Sequence, residues 1–393
     1  MLKTFFVAVG ACAAVLLLSM QSAAAATNTT ISNTPLFYDS TNGDILAITK
    51  VAGAATNELA IGGNFTAVKT PDGVSHAATN FAILAESTGK ILYAGKANSY
   101  VRAVSSFGGT VYAGGDFTSF GGVTRSHMAA LNSSFAVTPF NPAPSARVRA
   151  ITADSTGVYL GGDNGSVRKV AIGTAAPIWS QPISRGGTKA LQLTPDHASL
   201  FVAGLFETYG GVTRHGLVRA AASTGKIVTT FNANLKPDSG VGKYGSYDGE
   251  DGISFALTPE GTNLIVGIGG HTVNEARKLN INTGARVWNT FLVGDCQAIV
   301  NVGNSYVAGY HRSTTGTAPQ YPYIAAQLTG SGGTLVAAWN PRITGNQSNA
   351  DGGNNGVQAA YSDPSTHTLF LAGAFTHWNG QLIHQSLIAF SYA

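Results

Sequence analysis

The sequence predicts an all-β protein built as a single β-propeller of about seven four-stranded blades. Three observations predict it: a short motif recurs along the chain, 49 of the 393 residues are glycine, and only 11% are charged. Repeats of about 40 to 50 residues that read as successive short strands are typical of propellers. A hydrophobic content of 44% is enough for a large core, and the low charge is unlike that of a disordered chain.

The clearest repeat covers a strand, a turn and the next strand. Residues 112–125, YAGGDFTSFGGVTR, return as residues 202–214, VAGLFETYGGVTR. Shorter copies begin at Ile61, Leu160, Val266, Val307 and Leu371. Seven copies over this length predict seven blades.

The first 26 residues have the pattern of a signal peptide. Lys3 precedes an apolar run over residues 5–18, and small residues follow up to Ala26. The run is shorter than the roughly 20 residues that span a bilayer. We therefore expect a leader over residues 1–26, a propeller over residues 27–393, no membrane span after cleavage, and a secreted or cell-surface location.

Removal of the leader changes the cysteine count and the charge. It takes away Cys12, so Cys296 has no partner for an internal disulfide and is expected to be buried in a strand. It also takes away Lys3, which leaves 22 basic against 19 acidic residues, a net charge of +3. The basic residues are scattered, which argues against a nucleic-acid partner.

Glycine has two predicted roles. The Gly pairs of the motif, such as Gly114-Gly115, are expected where strands converge on the propeller axis and a side chain would clash with the next blade. Gly89, Gly225 and Gly284 each follow Ser-Thr or Asn-Thr and are expected at hairpin turns that need positive φ.

Aromatic residues recur late in the repeat and are expected to be core residues of an outer strand. They are Phe140, Trp179, Phe231, Trp288 and Trp339.

The last copy of the motif ends at residues 387–390, and the residues that follow are too few for an outer strand. We expect residues 35–38 near the N-terminus to supply that strand and close the ring. Closure would hide two sheet edges from other chains.

The motif GGDFT at residues 114–118, followed by GGVTR at 121–125 and MAAL at 128–131, resembles the bacterial delta-sixty repeat propellers, and fungal cell-surface propellers look similar. The resemblance covers nearly the whole mature chain and is sharp in the copies near Tyr112, Val202 and Leu371. It implies a propeller fold, secretion and surface association. It implies no catalytic residue.

Sequence motifs for catalysis are missing. The chain has no His-Glu-x-x-His motif, no paired cysteine ligands and no Gly-x-Ser-x-Gly turn. Six histidines follow similar strands and are candidates to converge on a metal, although separate loop positions are the favoured interpretation: His127, His215, His271, His311, His377 and His384.

Two polar insertions, over residues 236–252 and 341–356, precede the first strand of a blade. They are expected on the same face as residues 70–72 and 317–323, and that face is the predicted binding surface. Tyrosine, asparagine and aspartate suit recognition of sugars or polar protein surfaces. The candidate ligand-binding residues are Tyr244, Tyr247, Asp248, Asp251, Tyr321, Tyr323, Asn354 and Asn355.

Calcium is the cofactor considered, with Asp248, Glu250 and Asp251 as oxygen ligands, but their spacing does not match an EF-hand and no cofactor is the main expectation. A purely structural surface-layer component is one interpretation, and two other functions remain open. One is a non-enzymatic binding or scaffold module for a glycan or an extracellular protein. The other is a secreted carbohydrate-active enzyme, which requires carboxylates with raised pKa values to converge in a central pocket.

Overall fold

The computed structural model of the protein describes residues 28–236, 251–257, 261–269, 273–311, 324–346, 356–383 and 385–393. Every helix or strand assigned within these ranges is a β-strand, which confirms the all-β prediction. No helix in the described ranges is long and apolar enough to cross a membrane.

The strands of the N-terminal half are β1 (Ile31–Thr41), β2 (Asp44–Lys50), β3 (Glu58–Asn64), β4 (Ala67–Lys69), β5 (Ser75–Ala77), β6 (Phe81–Ala85), β7 (Ile91–Ala94), β8 (Val101–Phe107), β9 (Thr110–Gly115), β10 (Ser119–Phe120), β11 (Val123–Thr124), β12 (Met128–Leu131), β13 (Val148–Asp154), β14 (Gly157–Gly162), β15 (Ser166–Val170) and β16 (Pro177–Ser184). Those of the C-terminal half are β17 (Thr188–Leu193), β18 (Ser199–Gly204), β19 (Thr208–Tyr209), β20 (Val212–Thr213), β21 (Leu217–Ala221), β22 (Asp251–Leu257), β23 (Asn263–Gly269), β24 (Glu275–Asn280), β25 (Arg286–Phe291), β26 (Cys296–Val302), β27 (Ser305–Tyr310), β28 (Ala325–Thr329), β29 (Ile343–Asn346), β30 (Val357–Asp363), β31 (Thr368–Gly373), β32 (Phe375–Trp378), β33 (Gln381–Leu382) and β34 (Gln385–Tyr392).

Most of these strands form antiparallel sheets in which strands that follow each other in the chain are neighbours. In order along the chain, the sheets contain β2-β3-β6-β7, β8-β9-β12, β13-β14-β15-β16, β17-β18-β21, β22-β23-β24-β25, β26-β27-β28 and β30-β31-β34-β1, and the short hairpins β19-β20 and β4-β5 extend the third and the last of them to six strands. We number them sheets 1 to 7. Short hairpins such as β4-β5 and β10-β11 lie between the second and third strands of several sheets.

The first strands of the sheets contact one another in chain order. Strand β2 contacts β8, β8 contacts β13, β13 contacts β17, β17 contacts β22, β22 contacts β26, and β26 contacts β30. Strand β30 of sheet 7 also contacts β2 of sheet 1. The contacts between first strands therefore run in a closed cycle.

The prediction of four strands per sheet is wrong for sheets 2, 4 and 6. In each of them the third strand is followed by an isolated bridge instead of a fourth strand: Leu131 with Val137, Ala220 with Ile227, and Leu328 with Leu335. In sheet 2, prolines at positions 139, 142 and 144 follow the bridge. Because proline has no N–H to donate to a ladder, pairing stops there.

The N-terminal strand completes sheet 7, as the sequence predicted. Strand β1 pairs antiparallel with β34, with Phe37 opposite Ala389 and Tyr38 opposite Ile388. The Phe37 ring lies 6.3 Å from that of Phe370 in the same sheet. The first and the last strand of the described residues thus lie in one sheet.

The first glycine of the described pairs Gly62-Gly63, Gly114-Gly115 and Gly161-Gly162 packs against the next sheet, as predicted. The second glycine of each of these pairs instead packs against the backbone around the start of the first strand of its own sheet, so the prediction was wrong for it. A Cβ on Gly114 would lie 2.7 Å from Val148 Cγ1, and one on Gly62 would lie 2.5 Å from Val101 Cγ1. These distances are far below ordinary van der Waals contact. A side chain at these positions would push adjacent first strands apart.

The late aromatic residues are core residues, but only Trp179 and Trp288 lie in outer strands, β16 and β25. Phe140, Phe231 and Trp339 follow the isolated bridges instead, and all three are buried. The indole N–H of Trp179 donates to the carbonyl of Ala222 in the turn after β21, at 3.1 Å. The apolar cores likewise combine residues of neighbouring sheets.

Candidate functional site

The first strands surround a cavity of about 230 Å³. Its walls are the middle residues of β2, β8, β13, β17, β22, β26 and β30. The polar side chains that line it belong to Arg102, Arg149, Lys189, Gln192, Gln297 and Gln358. The cavity is the place where all seven sheets contribute to one concave surface.

A β-bulge lies near the start of every first strand, at the second residue of five strands and at the third residue of β2 and β22, and six of the seven extra residues line this cavity. In β8, Val101 pairs with Gly115 and Ala103 pairs with Gly114, so Arg102 is the extra residue of the bulge. The same register shift occurs in the other six first strands, and the extra residues are Leu46, Arg149, Lys189, Ile253, Gln297 and Gln358. A bulge re-aims the extra side chain. Five of these seven positions carry a cationic or amide side chain.

Two of the bulge arginines hold an aspartate of the same sheet. Arg102 donates from Nε and Nη2 to the two carboxylate oxygens of Asp116, both at 2.7 Å. Arg149 does the same to Asp163, at 2.7 and 3.1 Å. Each aspartate directly follows the Gly pair at the end of the second strand. Bidentate pairs of this kind fix the guanidinium plane.

A third arginine links the two pairs across adjacent sheets. Arg147 Nε lies 2.7 Å from Asp163 Oδ2, and its Nη1 lies 3.9 Å from Asp116 Oδ2. Burial would raise the pKa of Asp163, but the hydrogen bond from Arg149 and the charges of Arg149, Arg147 and Lys189 lower it. Asp163 is therefore an ionised carboxylate.

The balance of charge at this end of the cavity is positive. Four cations, Arg102, Arg147, Arg149 and Lys189, accompany two carboxylates, Asp116 and Asp163. We call these six residues the charged arc, because β8, β13 and β17 are consecutive in the cycle. Next to it, Arg185 lies 3.9 Å from Glu207, and His215 also contacts that carboxylate.

The other side of the cavity carries amides. Gln297 and Gln358 come from β26 and β30, which are also consecutive in the cycle. Gln297 Nε2 lies 3.5 Å from His311 Nδ1. Burial lowers the pKa of His311 while the charge of Asp295 opposes this, so His311 is mainly neutral at neutral pH. Amides can both donate to and accept from hydroxyl groups.

Most of the predicted ligand-binding residues lie outside the described residues: Tyr244, Tyr247, Asp248, Tyr321, Tyr323, Asn354 and Asn355. The exception is Asp251, which was expected in a loop. Its backbone instead begins strand β22 and pairs with Gly269. The insertion therefore ends two residues earlier than predicted, because the ladder with β23 extends to Asp251, while a ligand-binding role for Asp251 stays a prediction.

The charged arc nevertheless lies at one particular end of the sheets, the end at which the sequence predicted the ligand-binding face. Arg102 is near the start of a first strand, and Asp116 follows the end of a second strand. Loops that enter a sheet, and loops that join its second and third strands, leave from this same end. The charged arc therefore lies at the end of the sheets from which such loops leave.

The histidines do not form a metal site within the described ranges, where no group of three or more His, Cys, Asp or Glu side chains is close enough to hold a metal ion. His127 contacts the carbonyl of Gly115, His215 contacts Glu207, and His377 contacts Thr376. These contacts belong to different sheets. His271, His384, Asp248 and Glu250 lie outside the described residues.

A second concavity of about 430 Å³ lies between β1, the β4-β5 hairpin and residues 382–383. It is larger, but Lys69 is the charged side chain among the described residues that line it. Leu36 and Leu382 there are half-exposed. The central cavity is lined by more charged and amide side chains and is therefore the better candidate for a binding site.

Sequence reasoning missed the charged arc, although a signal exists. A polar residue followed by alanine recurs in five first strands: Arg102-Ala103, Arg149-Ala150, Lys189-Ala190, Gln297-Ala298 and Gln358-Ala359. An alignment of the seven copies on this pair would have pointed to one ring of side chains.

Comparison of the chain with protein-family models and with curated proteins finds no match.

Proposed function

We propose that this protein is a secreted, seven-bladed β-propeller that binds a glycan in its central cavity without catalysing a reaction. The ligand enters at the end of the sheets that carries the charged arc. The leader pattern over residues 1–26 supports export, and the resemblance to delta-sixty repeat propellers supports a surface role.

The closed cycle of contacts between first strands is the observation that carries the proposal. In a propeller, the first strand of each blade faces the axis, and the last blade must return to the first. Contacts from β2 through β30 and back to β2 agree with that arrangement. The pairing of β1 with β34 is the strand pairing expected when an N-terminal strand completes the last blade and closes the ring.

The chemistry of the cavity favours binding over hydrolysis. A glycosidase needs two carboxyl groups beside the scissile bond, one of them with a raised pKa. Among the described residues that line the cavity, none is Asp or Glu. The nearby Asp163 is held ionised by arginines, so it is a poor proton donor.

The size of the cavity favours a small part of a larger ligand. Pockets that enclose a drug-sized molecule measure about 300 to 1,000 Å³, and this cavity measures about 230 Å³. One sugar ring or a chain end fits such a volume better than a folded protein surface does.

A glycan array tests the proposal. The mature chain, residues 27–393, is applied with calcium and with a chelator, beside Gln358→Leu and Gln297→Leu variants and the exposed control Leu382→Ser. We expect reproducible glycan binding that both glutamine variants weaken and the control does not. Binding that requires calcium would bring the 248–251 segment into the site.

Two outcomes would contradict the proposal. If neither glutamine substitution changed the affinity for the glycan, the binding site would lie outside the cavity. Release of reducing sugar from a bound glycan, measured on the same samples, would favour the carbohydrate-active enzyme instead.

A further inference from the structure

We infer that the charged arc binds the oxyanion of an acidic sugar, a carboxylate or a sulfate, while Gln297 and Gln358 contact the hydroxyl groups of the same ring. This inference rests on the proposed function and names the class of glycan. It assigns an electrostatic role to Arg149, Arg147 and Lys189.

The first argument is the excess of positive charge. The six residues of the charged arc carry four positive and two negative formal charges, which gives the arc a net charge of +2. Lys189 contributes one of them from β17, close enough to lower the pKa of Asp163. An anionic ligand that enters the cavity meets a favourable potential.

The second argument is partial burial. The side chains of Arg102 and Arg149 are 14% and 22% exposed. Charges in such positions are screened less by salt than those on an open surface. A ligand oxyanion at the cavity therefore gains more than it would at an exposed arginine.

The third argument is preorganisation. Arg149 donates hydrogen bonds from Nε and Nη2 to Asp163, and these bonds fix the plane of the guanidinium. Its Nη1 carries two further N–H groups. A guanidinium that is already oriented loses less side-chain entropy when it binds a second oxyanion. The aspartates thus serve to position the cations as well as to neutralise part of their charge.

The amides distinguish a sugar acid from an acidic peptide. A glutamate or aspartate side chain presents a carboxylate on an apolar stem, whereas a sugar acid surrounds its carboxylate with hydroxyls. Gln297 and Gln358 lie apart from the cations in the cycle and offer both donors and acceptors. That combination matches the sugar.

The experiment is a binding titration of the mature chain with matched ligands. An oligogalacturonide is compared with its methyl ester, which has the same shape without the charge, and dextran sulfate is compared with dextran. Polyglutamate represents the acidic peptide. Each titration is repeated at low and high salt.

Variants test each sign of charge. We expect Lys189→Gln and Arg149→Gln each to weaken binding of the acidic sugar by about tenfold, the loss of one charged hydrogen bond. We expect Asp163→Asn to strengthen it, because the variant removes one negative charge while its amide oxygen still accepts a hydrogen bond from Arg149. Lys90→Gln, on an exposed turn, is the matched control and should change nothing. Circular dichroism confirms that each variant is folded.

The outcomes separate this inference from the proposed function. Preference for the oligogalacturonide identifies a carboxylate, preference for dextran sulfate identifies a sulfate, and either supports the inference. Equal binding of charged and neutral partners, with Gln358→Leu still harmful, overturns the inference alone. Tighter binding of polyglutamate than of any sugar, or no binding of any glycan, overturns the inference and the proposed function together.

Discussion

Arg149 and Asp163 form a bidentate pair, with Nε and Nη2 of the guanidinium 2.7 and 3.1 Å from the two carboxylate oxygens. Arg102 and Asp116 repeat the pair one sheet earlier at the same separation of 14 residues. The repeat has a simple origin, since both arginines occupy the bulge of a first strand and both aspartates follow a Gly pair. Successive sheets therefore present the same ion pair at one end of the cavity.

The contact between Gly114 and Val148 predicts the effect of a single methyl group. A Cβ on Gly114 would lie 2.7 Å from Val148 Cγ1 and 2.8 Å from Ile151 Cδ1. We expect Gly114→Ala to reduce the free energy of unfolding by about 1 to 3 kcal/mol through overpacking. Gly332→Ala is the control, because its Cβ would meet one atom at 4.0 Å. Chemical denaturation measures both; equal stabilities would contradict the packing role of Gly114.

Lys50 and Asp363 predict a loss of stability in acid. Lys50 in sheet 1 donates to Asp363 in sheet 7, and Ser365 donates two more hydrogen bonds to the same carboxylate. Burial would raise the pKa of Asp363, but these bonds lower it to about 2. The stabilisation is present above about pH 4 and is lost as the pH falls towards 2.

Thermal unfolding of Lys50→Met between pH 2 and 7 checks this effect. We expect the variant to be less stable than the parent at pH 7 and to approach it at pH 2. Lys90→Met, on the exposed turn, should follow the parent throughout. A constant difference at every pH would show that the charge of Lys50 is not responsible.

Asp39 predicts the opposite dependence on pH. This carboxyl lies on β1, is 1% exposed, and has no hydrogen-bond partner for either oxygen among the described residues. Burial, with a smaller contribution from the charge of Asp72, raises its pKa from 3.8 to about 8. Between about pH 4 and 8 the unfolded chain ionises this group while the folded chain keeps the proton. Stability therefore falls as the pH rises through that interval, by up to about 1.4 kcal/mol per unit.

Asp39→Asn should flatten this dependence and unfold at a higher temperature than the parent at pH 8. Asp196→Asn is a control of opposite sign, since hydrogen bonds from Thr194 and Ala198 lower the pKa of that aspartate. It should destabilise the protein at neutral pH. If Asp39→Asn changed neither the slope nor the midpoint, Asp39 would not be a buried neutral acid.

Strand β1 predicts the result of an N-terminal truncation. It pairs with β34 over most of its length, and Trp339 Nε1 donates to the carbonyl of Ser32 at 3.1 Å. We expect a chain that starts at residue 42 to unfold at a lower temperature and to self-associate through the exposed edge of β34. Size-exclusion chromatography and thermal unfolding measure both effects.

A peptide of residues 28–41 should restore the truncated chain, because it can add back as the missing strand. The same peptide with Ile31→Ser and Phe37→Ser removes two apolar contacts of the strand and should restore it poorly. A truncated chain as stable as the parent would show that sheet 7 does not need β1.

Local features of the sequence predicted much of the fold. The Gly pairs, the turn glycines and the copies of the motif each reflect contacts within one sheet or between neighbours in the chain. Gly89, Gly225 and Gly284 have the predicted positive φ of +67°, +71° and +77°. The closing strand was predictable because an incomplete last repeat needs a partner, and residues 35–38 provide one.

The binding residues were harder to predict because loops and bulges carry little periodic signal. The composition of the tyrosine-rich insertions predicted a binding surface. In the sequence, Arg102, Arg149 and Lys189 have the pattern of ordinary polar positions in strands that alternate polar and apolar residues. A bulge is a change of register between two strands, and it is visible only when both strands are paired.

By itself the sequence determined the all-β class, the repeat, the turn positions and the strand that joins the two ends of the chain, since these depend on local conformation and on the period of the motif. Only the tertiary structure decided that Arg102, Arg149 and Lys189, which come from three different sheets, line one cavity. The physical reason is the cyclic packing of the first strands, in which the glycines allow close approach and six of the seven bulges supply a residue at the cavity.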